Sequence, residues 1–335
     1  MKAVLFTEYG PPEVLRVEEV EKPVPGEGQV LVKVSATTVN RTDCATVRAK
    51  PFFMRLATGL FRPKKTIPGT EFAGRVEAVG AGVTELKPGD RVFGFDDRGL
   101  GAHAEYAVVD EENAVTVPEG MTDEQAAPST EGAHYAYNFI NKVELKAGDT
   151  VLVNGATGAI GSAAVQLLKH FEATVTAVCA TKDIELVRSL GADRVIDYTV
   201  EDFTEDDRSY SFVFDTVGKS SFFRCRRLLL PGGVYLSSDL GYMAQNIYLP
   251  LITAVIRPVL GNRKTLFPMP VDRRASILLV RKLIEEGRFR AVIDRTYRFE
   301  EIVEAYRYVE KGEKTGNVVI IVAHQNETRQ SRQDS

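Results

Sequence analysis

Residues 150–169, Thr-Val-Leu-Val-Asn-Gly-Ala-Thr-Gly-Ala-Ile-Gly-Ser-Ala-Ala-Val-Gln-Leu-Leu-Lys, constrain the fold more than any other stretch of the chain. A β-branched run, Thr150 to Val153, meets Gly155, Gly158 and Gly161 and then an alanine-rich helical pattern. Strand, tight turn and helix start bring backbone N–H groups and the positive end of a helix dipole to one point. That geometry holds a pyrophosphate. Gly158 admits close backbone approach, and Gly161 lets the helix pack tightly on the strand. The spacing is GxxGxxG rather than GxGxxG, with Ala156 and Thr157 in the middle of the turn. Taken alone, such a triplet also reads as an ordinary strand–helix turn, so its surroundings decide.

Those surroundings alternate strictly. From about Thr122 the period changes: Thr122-Asp-Glu-Gln offers an N-cap and early acids, predicting a helix redirected near Pro128. Strands are predicted at 150–153, 174–178, 194–197, 212–215 and 234–237, with helices from Ala159, over 182–190, and over 220–229 up to Pro231-Gly-Gly. Repeated βα units imply a parallel sheet, doubly wound by right-handed crossovers, which is the Rossmann arrangement. After Asp239 the pattern loosens as far as Asn262, and 264–269 reads as a last, exposed edge strand. A helix over 272–286 shows an apolar stripe through Ile277, Leu278, Val280, Leu283 and Ile284, and 291–323 reads as strand, helix, strand.

Residues 1–124 are mostly β, with β-branched or aromatic runs at 30–35, 72–79, 91–95 and 105–109 punctuated by Gly and Pro. Short strands without long helices suggest a partly open barrel. The predicted organisation is a first domain over 1–124 completed by 270–323, a nucleotide-binding domain over 125–269, and a polar, disordered tail over 324–335. Within the first domain, Phe52 and Phe53 belong to an apolar cluster in 39–60 that reads either as core or as the lining of a substrate pocket.

The formal charge of −4 argues against a nucleic-acid partner held by a general basic field. Cys44, Cys179 and Cys225 are far apart, which fits a reducing, cytoplasmic setting. No apolar run approaches a membrane span, and Met1–Glu8 turns polar too soon for a signal peptide. The partner expected is a small-molecule substrate.

The end of the second strand of a Rossmann unit separates the two nicotinamide cofactors, because an acid there pairs with the ribose 2′-hydroxyl and repels a 2′-phosphate. Here residues 174–182 end without an acid and offer Thr181 and Lys182, which favours NADPH. The plainer alternative makes Lys182 a solvated first-turn residue. His103, His134, His170 and His324 show no metal-ligand spacing, and His103 and His134 read as structural. Cys44 lacks a base partner in sequence and reads as a small buried residue.

With these residues on the page, the chain resembles the medium-chain dehydrogenase/reductase superfamily. The motifs are Gly69-Thr-Glu-Phe-Ala-Gly-Arg-Val-Glu-Ala-Val-Gly80, Pro88-Gly-Asp-Arg-Val-Phe-Gly94, the glycine loop, Gly191-Ala-Asp-Arg-Val-Ile-Asp-Tyr198, Asp215-Thr-Val-Gly218, Leu230-Pro-Gly-Gly233 and Lys314-Thr-Gly-Asn-Val-Val319. They cover the chain to about residue 323. The resemblance implies a GroES-like catalytic domain beside the Rossmann domain. It also implies that Asn40 and Thr70 stand where zinc-dependent members carry a ligand cysteine and a ligand histidine. The zinc-independent quinone oxidoreductase branch is the better likeness, with Asn40 and Asp43 matching its Asn-x-x-Asp segment beside substrate and nicotinamide.

The same resemblance places Gly155, Thr157, Gly158, Ala159, Ile160, Gly161, Thr181, Lys182, Tyr198, Val217, Gly218 and Asn317 at the cofactor, with Tyr198 on the 2′-phosphate. Two departures fall at Ala45, where some members carry tyrosine, and Tyr135, where a threonine stands near the nicotinamide. Tyr135 or His134 would then hydrogen-bond or protonate the acceptor oxygen, or Tyr135 would pack against the cofactor. The expected activity is NADPH-dependent hydride transfer to quinones or other activated α,β-unsaturated carbonyls. The alternatives are an enoyl-thioester reductase, or an NADPH-binding sensor or structural protein without turnover. The likeness also implies a homodimer through the edge of the Rossmann sheet.

Overall fold

The β-branched runs of the first third pair as strands. The computed structural model describes residues 1–50, 52, 55–98, 101–239, 245–256, 258–269 and 272–323. Phe53 and the predicted tail over 324–335 therefore lie outside the described residues. Strands β1 (Lys2–Leu5) and β2 (Arg16–Glu19) form an antiparallel pair. Then come β3 (Gln29–Val39), β4 (Glu71–Val79), β5 (Arg91–Phe95), β6 (Tyr106–Asp110) and β7 (Ala114–Thr116). β3 organises this region, because it pairs antiparallel with both β4 and β6. Its register against β4 shifts twice, between Leu31 and Val32 and between Val34 and Ala36, which bends the strand along its length.

The helix predicted at Thr122 is short. Thr122 and Gln125 cap Asp123–Ala126 reciprocally, a 3-10 turn carries Pro128, and a new helix runs Glu131–Asn141. Six parallel strands follow: β8 (Thr150–Asn154), β9 (Thr174–Cys179), β10 (Arg194–Asp197), β11 (Tyr210–Asp215), β12 (Leu229–Ser237) and β13 (Lys264–Leu266). Their order in the sheet is β10-β9-β8-β11-β12-β13, so the winding reverses between β8 and β11. The ends of these two strands form the switch point of a doubly wound sheet, where such folds bind ligands. Helix Ala159–His170 buries the run Gly161–Leu168.

Three expectations need correction here. The helix after Ser220 spans only Phe222–Cys225, followed by a 3-10 turn over Arg226–Leu228. Pro231-Gly-Gly does not stop an element but sits inside β12: the register against β11 jumps from Tyr210–Leu229 to Phe212–Val234, and the intervening residues are accommodated as an irregularity. The last strand pairs only over Lys264–Leu266, and Pro268 has no N–H to extend it. The loosened segment also contains a helix, Gln245–Val255, that tolerates Pro250.

The chain closes with β14 (Ile293–Arg298), helix Ile302–Glu310 and β15 (Asn317–Ile321). β15 pairs antiparallel with β3, giving a seven-stranded sheet in the order β14-β15-β3-β4-β5-β7, with β6 also on β3. Two units result. One holds Met1–Glu131, Ile277–Glu285 and the chain from Ala291; the other holds Gly132–Ser276 and Glu286–Arg290. Each has its own core: Val32, Val34, Phe72, Tyr306 and Ile320 in the first, Leu152, Val213, Phe222 and Tyr235 in the second.

Candidate active site

In the second unit the glycine loop is shaped by close contacts. Gly155 has φ +80°, and a Cβ there would come within 2.3 Å of Val217. A Cβ on Gly161 would stand 2.0 Å from the Gly155 carbonyl oxygen, so helix and turn touch backbone to backbone. Gly158 differs: the nearest atom to its added Cβ is 3.8 Å away, so its missing side chain leaves the mouth of the turn open. Gly158 is the N-cap of helix Ala159–His170 and its carbonyl accepts from Ser162 N at 2.9 Å. The unsatisfied N–H groups of Ala159, Ile160 and Gly161 point out at that mouth, a cradle with the chemistry for a dinucleotide pyrophosphate.

The neighbouring turn is fixed by Asp215, fully buried at the end of β11. Its carboxylate accepts from Asn154 Nδ2 (3.0 Å), Gly218 N (3.0 Å), Ser220 N (3.0 Å) and Tyr235 Oη (2.9 Å). Val217 and Gly218 are thereby held over the Gly155 turn, with Gly218 at φ +65°. The motif Asp215-Thr-Val-Gly218 does not by itself disclose this role. An acid at a strand end followed by Thr-Val-Gly was the available signal.

Thr181, Lys182 and Tyr198 gather at the ends of adjacent strands, since Asp197 pairs with Cys179 and Tyr198 N donates to Cys179 O at 3.1 Å. All three are exposed. The end of β9 carries no acid of its own, but β10 brings Asp197 alongside. Thr181 Oγ1 donates to its carboxylate at 2.5 Å, and Thr199 donates at 2.7 Å. These hydroxyls hold the Asp197 carboxyl below the usual range.

In the first unit, Asn40 and Asp43 start helix Arg41–Arg48, Asn40 N donating to Asp43 Oδ2 at 2.8 Å. Asn40 Nδ2 donates to Glu71 Oε2 (2.8 Å) and Glu131 Oε2 (3.0 Å). Thr70 Oγ1 donates to the same Glu131 oxygen at 2.8 Å, and Thr42 Oγ1 to Glu131 Oε1 at 2.5 Å. Glu71 also accepts from Thr38, Thr130 and the Glu131 amide. Three carboxyls are thus buried in one hydrogen-bonded network. Burial pushes Glu71 up to about 7 and raises Asp43 and Glu131, with the Glu131 charge adding to both neighbours. Burial also brings the half-buried Lys314 down to about 8 against the opposing pull of Glu131 and Glu71. Glu71, Glu131 and Lys314 were missed in the sequence as site residues. Glu131 lies 91 positions from Asn40, and no local pattern announces such a pair.

The remaining candidates lie as follows. Tyr135 is half-buried on helix Glu131–Asn141, 5.6 Å ring to ring from His134. His134 Nδ1 bonds Ser276 Oγ at 2.8 Å. His103 is structural: its Nε2 donates to Thr38 O at 2.7 Å, so Nδ1 accepts from Tyr306, and burial lowers its pKa to about 4. Asn317 is buried with its amide on Val292 O at 3.0 Å. Phe52 is 69 % exposed, with the Arg55 guanidinium 4.9 Å from its ring.

A doubly wound unit with an open glycine turn and a β unit carrying a buried polar network, in one chain, define the class of two-domain nicotinamide-dependent oxidoreductases. Residues 26–119 match the alcohol dehydrogenase GroES-like domain and residues 190–320 the zinc-binding dehydrogenase domain. The 2-methylene-furan-3-one reductase of Solanum lycopersicum is 33 % identical, over 96 % of this chain and 79 % of that protein. The NADPH-dependent alkenal/one oxidoreductase of Arabidopsis thaliana is 30 % identical over the same shares, 96 % and 79 %. The solved quinone oxidoreductase from Coxiella burnetii superposes with a TM-score of 0.83 at 27 % identity, over 96 % of this chain and 99 % of that one. The chain belongs to the medium-chain dehydrogenase/reductase superfamily, in its quinone oxidoreductase-like branch.

Proposed function

We propose that the protein is an NADPH-dependent reductase of quinones or α,β-unsaturated carbonyls that works without zinc. The observation that carries the cofactor assignment is the Gly155–Gly161 turn, whose only open glycine faces the free N–H groups of a helix start. When bound, the nicotinamide supplies a hydride to the electron-poor carbon of the acceptor. The chain's own groups bind and orient. Thr157, Gly158, Ala159, Ile160 and Gly161 cradle the phosphates, with Val217, Gly218 and Asn317 along the nucleotide. Lys182 and Tyr198 take the 2′-phosphate, and Thr181, by engaging Asp197, turns that acid away from it. On the acceptor side, Asn40 and Asp43 position the substrate, Tyr135 hydrogen-bonds its oxygen, and Phe52 shields it.

The zinc-free reading rests on donor chemistry. Asn40 and Thr70 both spend a donor on one Glu131 oxygen, where a zinc site needs lone pairs converging from Cys, His or carboxylate. That set does not fit the ion. An already electrophilic acceptor needs alignment and a hydrogen bond to its oxygen, which these residues supply.

Turnover with 9,10-phenanthrenequinone, 1,4-naphthoquinone and an enoyl-CoA, each with NADPH and NADH, tests the assignment. Quinone-dependent oxidation with a kcat/KM favouring NADPH is expected. Tight NADPH binding without oxidation by any acceptor would replace the reading with a sensor, and a strong NADH preference would sink the role of Lys182.

A further inference from the structure

The second unit holds a cavity of about 210 Å³ against the last turn of helix Ala159–His170. That helix has 12 residues, so the cavity stands about 15 Å from the glycine turn and is no part of the nucleotide cradle. Its polar lining is Gln166, Lys169, His170, Ser189, Arg288 and Arg290, and no acid is among the described residues that line it. Both arginines come from Glu286–Arg290, a segment that packs with the second unit although the stretches on either side of it, Ile277–Glu285 and the chain from Ala291, pack with the first. Gln166, 7 % exposed, fixes the segment: its Oε1 accepts from Arg290 N at 3.0 Å and its Nε2 donates to Arg290 O at 3.0 Å. The Arg290 guanidinium donates from Nη2 to Ser189 Oγ at 2.9 Å and has no carboxylate partner among the described residues.

Cations beside helix C-termini commonly serve the helix ends. Here the backbone serves them. The carbonyls of Leu167, Leu168 and Lys169 accept from the N–H groups of Phe171, Ala173 and Glu172. At the end of helix Ile184–Ser189, those of Leu186, Val187 and Arg188 accept from Leu190, Ala192 and Gly191. Two acids stand near the cavity, Asp193 at 2.8 Å from Lys169 and Glu286 at 3.5 Å from Arg288. Both pairs are a third or more exposed on each side, so water screens them and they yield readily to a second anion. A planar donor fork held by its own backbone and flanked by further cations matches a phosphate group, whose oxygens take two parallel N–H bonds. The volume is smaller than a drug-sized pocket and suits a small anion. We propose that this cavity binds phosphate, as inorganic phosphate or a small phosphate monoester, and that occupancy ties residues 286–290 to the ends of the two helices.

The test is calorimetric titration of the full chain with sodium phosphate and with glycerol 3-phosphate, at an ionic strength held constant with sodium chloride, with thermal unfolding alongside. Saturable single-site binding, and a rise in Tm that chloride does not give, are expected. Tighter binding of glycerol 3-phosphate assigns the cavity to a monoester, and tighter binding of phosphate to the free ion. Arg290→Gln should weaken binding by about tenfold or more, and Arg288→Gln by less because Glu286 already competes for it. Circular dichroism of both variants reports whether the fold is kept. Absence of saturable binding by either probe overturns the proposal, as does unweakened binding by a folded Arg290→Gln chain. Binding that NADPH abolishes would put the phosphate at the glycine turn and overturn the proposal as well.

Discussion

Under the proposed function, Asp215 and Lys182 would serve one nucleotide site in different ways. Asp215 is fully buried and holds two backbone N–H groups, Gly218 and Ser220, together with Asn154 and Tyr235. Asp215→Ala would leave several buried donors unpaired, so a loss of about 3 kcal/mol or more in urea unfolding is expected. The Val217–Gly218 turn would lose its anchor, and NADPH affinity, read by fluorescence titration, should fall with it. Lys182 is exposed, and its proposed contribution is to the 2′-phosphate of a bound NADPH. Lys182→Ala should lower kcat/KM for NADPH about tenfold with stability and the NADH value unchanged. Equal loss with both cofactors would place Lys182 away from the 2′-phosphate.

Elements were legible where one local rule governed them. Helix Ala159–His170 announced itself through glycine spacing and an alanine-rich face, and Gly161 shows why: its Cα lies against the Gly155 carbonyl. Gly161→Ala would force these backbones apart, so a loss of about 1–3 kcal/mol, visible as a lower Tm, and weaker NADPH binding are expected. β12 was harder to read, because Pro231-Gly-Gly has the composition of a stop yet is accommodated within the strand. Helix Gln245–Val255 hid for a related reason. Its polar residues face inward, so the stripe that betrays a helix points the wrong way, and Pro250 argues against it. The buried carboxyl network was illegible for want of locality. Asn40 and Asp43 could be picked out as a pair, whereas Glu71 and Glu131 join them only once β4 and the start of helix Glu131–Asn141 are in place.

For the whole molecule the network sets how stability answers to pH. Glu71 ionises at about 7 in the fold against 4.5 ordinarily, so between these values the folded chain retains a proton the unfolded chain has released. Stability therefore falls as pH rises through that window, and the raised Asp43 and Glu131 act in the same direction. His103 acts oppositely: with its pKa lowered from 6.5 to about 4, its contribution is lost as pH falls below 6.5. The urea midpoint should decline from about pH 5 to 7, and Glu71→Gln should make that decline shallower. An unchanged slope would remove Glu71 from the account. The network has a second consequence, for which replacements the chain tolerates. Asn40→Cys alone, or Thr70→Ala alone, takes one donor from the same buried Glu131 oxygen at a cost of about 1–3 kcal/mol. The two positions are therefore tied to each other through an acceptor that neither of them carries.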